Sequence, residues 1–185
     1  IYGYPMNSWC IGNVTSMRYL FSVKQTFNED ISGWDTSRVT SMEGTFSGAS
    51  LFSGNQIEFW NVSSVTTMSR MFQGATIFNK SLNNWNVSNV SNMHRIFMHA
   101  RSFNQNLNNW DISNATDVIG LFDGAHAFNA NVDTWIFGNV DIGSMFYDTP
   151  AFNQDISNWD VSEVIGMDGL FNGSSFNQDI SGWCV

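Results

Sequence analysis

The nine residues FNQDISNWD, at positions 152–160, occur in nearly the same form at three other places in the chain. They return as FNEDISGWD at 27–35, as FNQNLNNWD at 103–111 and as FNQDISGW at 176–183. Self-similarity at a regular spacing is typical of repeat proteins, in which each unit packs against its neighbours. The spacing of this motif therefore predicts a stack of similar units.

The tryptophans mark the repeat along the whole chain. All eight follow one another at intervals of 24 to 26 residues, at Trp9, Trp34, Trp60, Trp85, Trp110, Trp135, Trp159 and Trp183. Two columns of phenylalanine keep the same phase and take up every phenylalanine except Phe59 and Phe137. The pattern predicts one domain over residues 1–185, built from stacked units of about 25 residues and truncated at both ends.

The apolar spacing within one unit predicts its local structure. Leu82, Trp85 and Val87 have the spacing of a short strand, with Trp85 and Val87 pointing inward and Asn86 outward. The following apolar residues are three or four apart, which favours a short helix or 3₁₀ turns. A serine would cap this helix at Ser37, Ser63, Ser88, Ser113 and Ser162, and a glycine would end it at Gly48, Gly74, Gly124 and Gly173.

These elements together predict an α/β repeat fold. We expect a right-handed, leucine-rich-repeat-like solenoid of about seven coils, with short parallel strands and short helical or 3₁₀ turns. Aromatic columns would then form ladders in the core, with no cofactor implied. The asparagine repeated after phenylalanine would form a further internal ladder that satisfies turn backbone groups, at Asn28, Asn79, Asn104, Asn129, Asn153 and Asn177.

The run FNQDISNWDVSEVIGMDGLFNGS at 152–174 resembles the repeat of the BspA-like leucine-rich repeat surface proteins, a group that includes mycoplasmal surface lipoproteins. The resemblance covers essentially the whole chain through its FN, I-x-x-W-D-V-S and V-x-x-M-x-x-x-F motifs. It implies a parallel solenoid, a location at the cell surface or outside the cell, and a binding role such as adhesion. It carries over no catalytic residue, because the shared motif consists of core and turn positions.

Composition limits the classes of partner. Seven Lys and Arg against sixteen Asp and Glu give a net charge of −9, which argues against nucleic acid and anionic membrane surfaces. No apolar run has the length of a membrane span. The remaining partners are a protein or a glycan, with a basic partner favoured by the charge, or other subunits that contact the ends of the coils.

A direct search for enzyme chemistry gives no candidate. The sequence has no G-x-S-x-G, no glycine-rich phosphate loop and no C-x-x-C, and its three histidines stand outside metal-binding motifs. We therefore predict no catalytic residue, no metal and no cofactor. Cys10 and Cys184 both follow a tryptophan in the first and last units, too far apart to pair. They remain free thiols, contacts to flanking sequence or an intermolecular bridge.

The position directly after each tryptophan, here called the outer row, is the predicted interaction surface. It is polar in every unit but one, as Asp35, Asn61, Asn86, Asp111, Ile136 and Asp160. Ile136 breaks the pattern in the segment TWIFGNV at 134–140, and Phe59 breaks a neighbouring column beside a one-residue insertion. Either the two apolar residues anchor a partner, or they mark local defects packed under a neighbouring loop.

Two functions remain open from the sequence. The first is a non-enzymatic protein-interaction or adhesion module of the surface-displayed repeat type. The alternative is a structural scaffold or accessory subunit of a larger multi-chain assembly, because the end units of a repeat stack need to be covered.

Overall fold

The secondary structure of the protein is almost entirely turns. A computed structural model describes residues 5–184, so the ends of the predicted 1–185 domain lie outside the described residues. Its two named elements are 3₁₀ helices at Met6–Ser8 and Ile57–Phe59. The described part contains no α-helix and no strand longer than one residue. The predicted α/β solenoid of parallel strands and short helices is therefore wrong.

Backbone hydrogen bonds nevertheless join each unit to the next. We number the repeats 1 to 7 from the tryptophans that begin them, at Trp9, Trp34, Trp60, Trp85, Trp110, Trp135 and Trp159. In repeat 4, the N–H groups of Met93, Arg95, Phe97 and His99 donate to carbonyls of repeat 5 at 2.7–3.0 Å. The intervening N–H groups of Ile96, Met98 and Ala100 donate three residues back, which closes tight turns. We call this segment the turn ladder.

The turn ladder occupies the place where the sequence predicted a helix. Its alternation of hydrogen bonds along the chain and along the stack needs left-handed backbone twice per repeat, and Arg95 and His99 have φ of 54° and 56°. The glycines predicted to end helices do have positive φ, between 67° and 77°, but they lie inside this ladder. Isolated parallel bridges flank it, as at Ser41–Thr67 and Thr67–Asn92.

Apolar side chains fill the interior along the stack. The columns of Ile or Leu, Trp, Val and Phe are buried in the internal repeats and form one continuous cluster. Phenylalanine rings stack both within a repeat, as Phe97 on Phe103 at 4.0 Å, and between repeats, as Phe97 on Phe122 at 5.6 Å. The predicted burial of Trp85 and Val87 and the exposure of Asn86 are confirmed.

Each tryptophan from Trp34 onward also donates to the carbonyl of the residue three positions before the previous tryptophan. The indole N–H of Trp110 donates to the carbonyl of Leu82 at 2.9 Å, and that of Trp159 donates to Val132 at 2.9 Å. The same bond is made in the other repeats by Trp34, Trp60, Trp85, Trp135 and Trp183. Buried indoles need such a partner because an unpaired N–H in the core is costly. Tryptophan thus contributes both apolar contact and a polar link.

The predicted asparagine ladder forms, but its predicted location in the interior is wrong, because it lies at the surface. The Oδ1 atoms of Asn79, Asn104, Asn129 and Asn153 each accept a backbone N–H from the next repeat at 2.9 Å. Cys10 and Cys184 are both exposed and do not form a disulfide with each other.

Candidate interaction surface

The outer row runs along one side of the stack. Its six residues take the same position in consecutive repeats, and all are exposed: Asp35, Asn61, Asn86, Asp111, Ile136 and Asp160. The buried tryptophan before each residue and the buried side chain after it hold the backbone so that the residue between them points outward. The structure therefore places these predicted site residues in a single line.

The polar members of the outer row are held in Asx turns. Oδ1 of Asp111 accepts the N–H of Ser113 at 3.1 Å and its hydroxyl at 2.6 Å. Oδ1 of Asp160 accepts the same two groups of Ser162 at 3.0 and 2.7 Å. Asn61, Asn86 and Asp35 bond their own serine two residues on. The serines predicted to cap helices are instead donors to the outer row.

The serine donors hold the carboxyls of this row in their ionised form. The hydroxyl of Ser113, followed by its N–H, lowers the pKa of Asp111, because both groups donate to the charged oxygen. Ser162 lowers the pKa of Asp160 for the same reasons. In both residues Oδ1 accepts these hydrogen bonds. The other carboxylate oxygen, Oδ2, accepts none within the described residues. The row thus presents a fixed negative oxygen at each aspartate.

Repeat 6 departs from this arrangement at Ile136. Ile136 has no side-chain oxygen to accept a hydrogen bond, and Gly138 stands where other repeats have the serine, so no Asx turn forms there. Phe137 fills the core position and meets the Trp159 ring edge-on, with centroids 4.7 Å apart. Ile136 is 65% exposed, so no loop covers it.

Phe59 is not part of the outer row, because it precedes a tryptophan instead of following one. It ends the 3₁₀ helix Ile57–Phe59, immediately before Trp60, and is 77% exposed. Phe59 precedes Trp60 and Ile136 follows Trp135, so three repeats separate the two residues. At a spacing of about 4.8 Å between neighbouring repeats, this is a distance of about 14 Å. The structure brings Ile136 close to Asp111 and does not bring Phe59 and Ile136 together.

A depression of about 360 Å³ lies beside Ile136, between repeats 4, 5 and 6. The side chain of Asn108 lines it, and its Oδ1 atom is buried without a hydrogen-bond partner. The full lining is Asn108, Asn109, Trp110, Asp111, Ile112, Ser113, Thr134 and Ile136. Sequence reasoning missed Asn108, Asn109 and Thr134, and no motif in the sequence identifies them.

A second row of Asx turns lies four residues before the tryptophans. Oδ1 of Asp155 accepts the N–H of Ser157 at 3.0 Å, and Asp30 and Asp179 bond Ser32 and Ser181 at 2.9 Å. These serines lower the pKa of each aspartate, chiefly through the backbone N–H. The recurring Asp-x-Ser sequence was the available signal for both rows.

The histidines lie on the turn-ladder side of the molecule. His94 and His126 each meet one aspartate at 3.2 Å, Asp117 and Asp148 respectively. Within residues 5–184, no group of three or more His, Cys, Asp or Glu side chains is arranged to hold a metal ion. Nor does this part of the chain contain a helix of the length and apolarity needed to cross a membrane.

These features define a repeat protein in which equivalent residues of neighbouring units are bonded to one another. The chain belongs to the family described as "Mycoplasma protein of unknown function, DUF285", whose model matches residues 2–55, 51–142 and 139–185. No curated protein and no solved structure matches the chain. The family match is consistent with a mycoplasmal repeat protein and does not confirm membership of the BspA-like leucine-rich repeat family.

Proposed function

We propose that this protein is a non-enzymatic interaction module of the surface-displayed repeat type, which binds another protein through the outer row. The observation that carries the proposal is the fixed orientation of the row. Asp111 and Asp160 are exposed, and each holds one carboxylate oxygen in a turn while the other accepts no hydrogen bond within the described residues. A partner then binds groups that are already ordered, so less conformational entropy is lost on association.

Charge supports a basic partner. The chain has a net charge of −9, and the carboxyls of the outer row have lowered pKa values. A negative surface of this kind attracts a basic partner and accelerates its association, and added salt weakens the attraction. The exposed Ile136 within the row supplies apolar contact area, which charged residues alone do not give.

The test replaces the three aspartates of the outer row by asparagine, as Asp35→Asn, Asp111→Asn and Asp160→Asn together. Asparagine keeps the Oδ1 acceptor, as Asn61 and Asn86 do naturally, so the turns remain while the net charge changes from −9 to −6. The probe is a panel of purified extracellular proteins of basic and acidic isoelectric point, with a glycan array beside it. We expect the unmodified protein to bind basic members and the variant to bind them more weakly.

A matched control carries the same charge change elsewhere. Asp30→Asn, Asp155→Asn and Asp179→Asn together also give −6 and also keep Asx turns, but they lie in the second row. If binding uses the outer row, this control loses much less affinity than the first variant. Equal loss in both would mean a general charge effect, and binding unchanged in both would contradict the proposal.

A structural scaffold is the second candidate, in which the apolar surfaces of the first and last described units contact further repeats or subunits. Met167, Leu170, Phe171, Ile180 and Trp183 line an apolar depression of about 410 Å³ at one end. Trp9 and Leu20 line another of about 330 Å³ at the opposite end, where Trp9 is 51% exposed. Neighbouring subunits of an assembly would cover such surfaces. Sedimentation of the intact protein over a concentration series tests this, and Leu20→Ser should then reduce association.

A further inference from the structure

Two of the residues that line the depression beside Ile136 each carry an acceptor atom without a donor. Oδ1 of Asp111 is occupied by Ser113, and its Oδ2 atom makes no hydrogen bond within the described residues. Oδ1 of Asn108 is buried and likewise makes none. A buried acceptor without a partner costs free energy, and a ligand that donates to it recovers that cost.

One wall of the same depression is apolar. Ile136 lines it and is 65% exposed, while the corresponding residues of the flanking repeats are Asp111 and Asp160. The lining contains one carboxylate and no basic side chain. A ligand that fits must therefore combine a positive charge and more than one donor with an apolar part.

Among protein side chains, arginine meets these requirements best. Its planar guanidinium carries five N–H donors in a fixed fork, so it can serve a carboxylate and an amide oxygen at once. Its alkyl stem packs on apolar surface while the charged end stays with polar partners. Lysine concentrates its charge at one point, and an uncharged apolar side chain would leave both acceptors without donors.

We propose that this depression receives an arginine side chain of a protein partner, with the stem on Ile136 and the guanidinium donating to Asp111 and, once the amide of Asn108 turns toward it, to Asn108. The inference rests on the proposed function, since it names the group that the outer row would bind. It also gives the break at Ile136 a role, because an aspartate there would leave the arginine stem without an apolar contact.

The probe is N-acetyl-arginine methylamide, titrated into the ¹⁵N-labelled 185-residue protein and followed by amide chemical shifts. The matched probes are the lysine and norleucine analogues. We expect shifts concentrated at Ser113 and Ile136, and a Kd for the lysine analogue that is roughly fivefold higher. Norleucine binding as tight as arginine, or shifts spread evenly over all aspartates, would overturn the proposal.

Two variants test the named contacts. Asp111→Asn keeps the turn with Ser113 and removes the charge, so the Kd for the arginine probe should rise roughly tenfold. Ile136→Asn gives repeat 6 an asparagine in the outer row, as Asn86 does in repeat 4. This variant should raise the Kd severalfold, because the apolar wall is removed. Asp30→Asn is the control, because Asp30 lies in the second row and outside the depression, and the Kd should stay unchanged. Thermal melts confirm that each variant is folded.

The outcomes separate this inference from the proposed function. If the arginine probe fails while basic proteins still bind through the outer row, the interaction module stands and the arginine site is wrong. If the probe binds as described while no protein of the panel depends on the outer row, the arginine site stands and the proposed function fails. An arginine probe that binds Asp111→Asn as tightly as the parent contradicts the site directly.

Discussion

The imidazole ring of His99 lies over Gly124, the residue at the equivalent position of the next repeat. His99 and Gly124 both have left-handed backbone, with φ of 56° and 67°. A Cβ atom on Gly124 would collide with the His99 ring. A similar relationship joins Tyr19 to Gly44, where an added Cβ atom would collide with the Tyr19 ring.

Gly124→Ala should therefore destabilise the protein more than Gly74→Ala. Both glycines have nearly the same φ, 67° and 68°, so the left-handed strain of alanine is the same, roughly 1–2 kcal/mol. A Cβ on Gly74 meets nothing nearer than Gly48 at 3.7 Å, so Gly124→Ala alone adds a collision. Urea unfolding measures both, and adding His99→Gly should recover the excess loss. Equal losses would mean that the His99 ring moves aside freely.

Trp110→Ala should lower the free energy of unfolding by roughly 3–5 kcal/mol, the range for emptying a large aromatic site. The change also removes the donor to the carbonyl of Leu82. Trp183→Ala should cost clearly less, because Trp183 is half-buried in the last unit and has a neighbour on one side. Denaturant unfolding of both variants provides the comparison, and similar losses would contradict it.

Asp111→Ala should destabilise the protein by roughly 1 kcal/mol, since it removes the acceptor for two groups of Ser113. Asp111→Asn should remain close to the parent protein, because Asn61 and Asn86 make the same turn. Thermal unfolding at one pH and salt concentration compares the three proteins. An alanine variant as stable as the asparagine variant would show that the Asx turn contributes little.

Stability should fall as the pH is lowered through the range in which the turn aspartates take up protons. The folded-state pKa is lowered in six of them: Asp30, Asp35, Asp111, Asp155, Asp160 and Asp179. Their stabilisation is fully present above the unfolded pKa of about 3.9 and disappears as the pH falls through the lower folded pKa. Burial raises the pKa of Asp123, so this residue acts in the opposite sense.

Urea unfolding between about pH 5 and pH 2 measures this dependence. A variant with all six aspartates changed to asparagine keeps the turns and should lose stability less steeply over that range. The same steep loss in the variant would assign the acid sensitivity to other groups.

The sequence predicted which side chains are buried better than it predicted the backbone. Burial follows from the repeated apolar positions, and residues such as Trp110 and Phe122 occupy the core as expected. The helix prediction failed because apolar residues three or four apart, as Val90, Met93 and Phe97, also fit successive tight turns. The left-handed positions were concealed, since repeat 4 fills them with Arg95 and His99 instead of glycine.

The candidate surface was predicted in position but not in detail. Alternation around each tryptophan placed the outer row outside, and that signal is local. The depression depends on Asn108 and Thr134, which belong to different repeats and meet Ile136 only when the units stack. Contacts of that kind depend on the three-dimensional arrangement and leave no pattern in a single unit.

The hydrogen bond that each indole donates along the stack has a consequence for chain length. Because Trp85, Trp110 and Trp135 all donate to the carbonyl three residues before the previous tryptophan, every junction uses the same connection. Excision of residues 85–109 would bring Trp110 against Ile57, which already accepts the Trp85 indole. The number of repeats can therefore change by whole units without a new kind of junction. The length of the stack can vary in this way, as in a polymer, while the bonds between repeats stay the same.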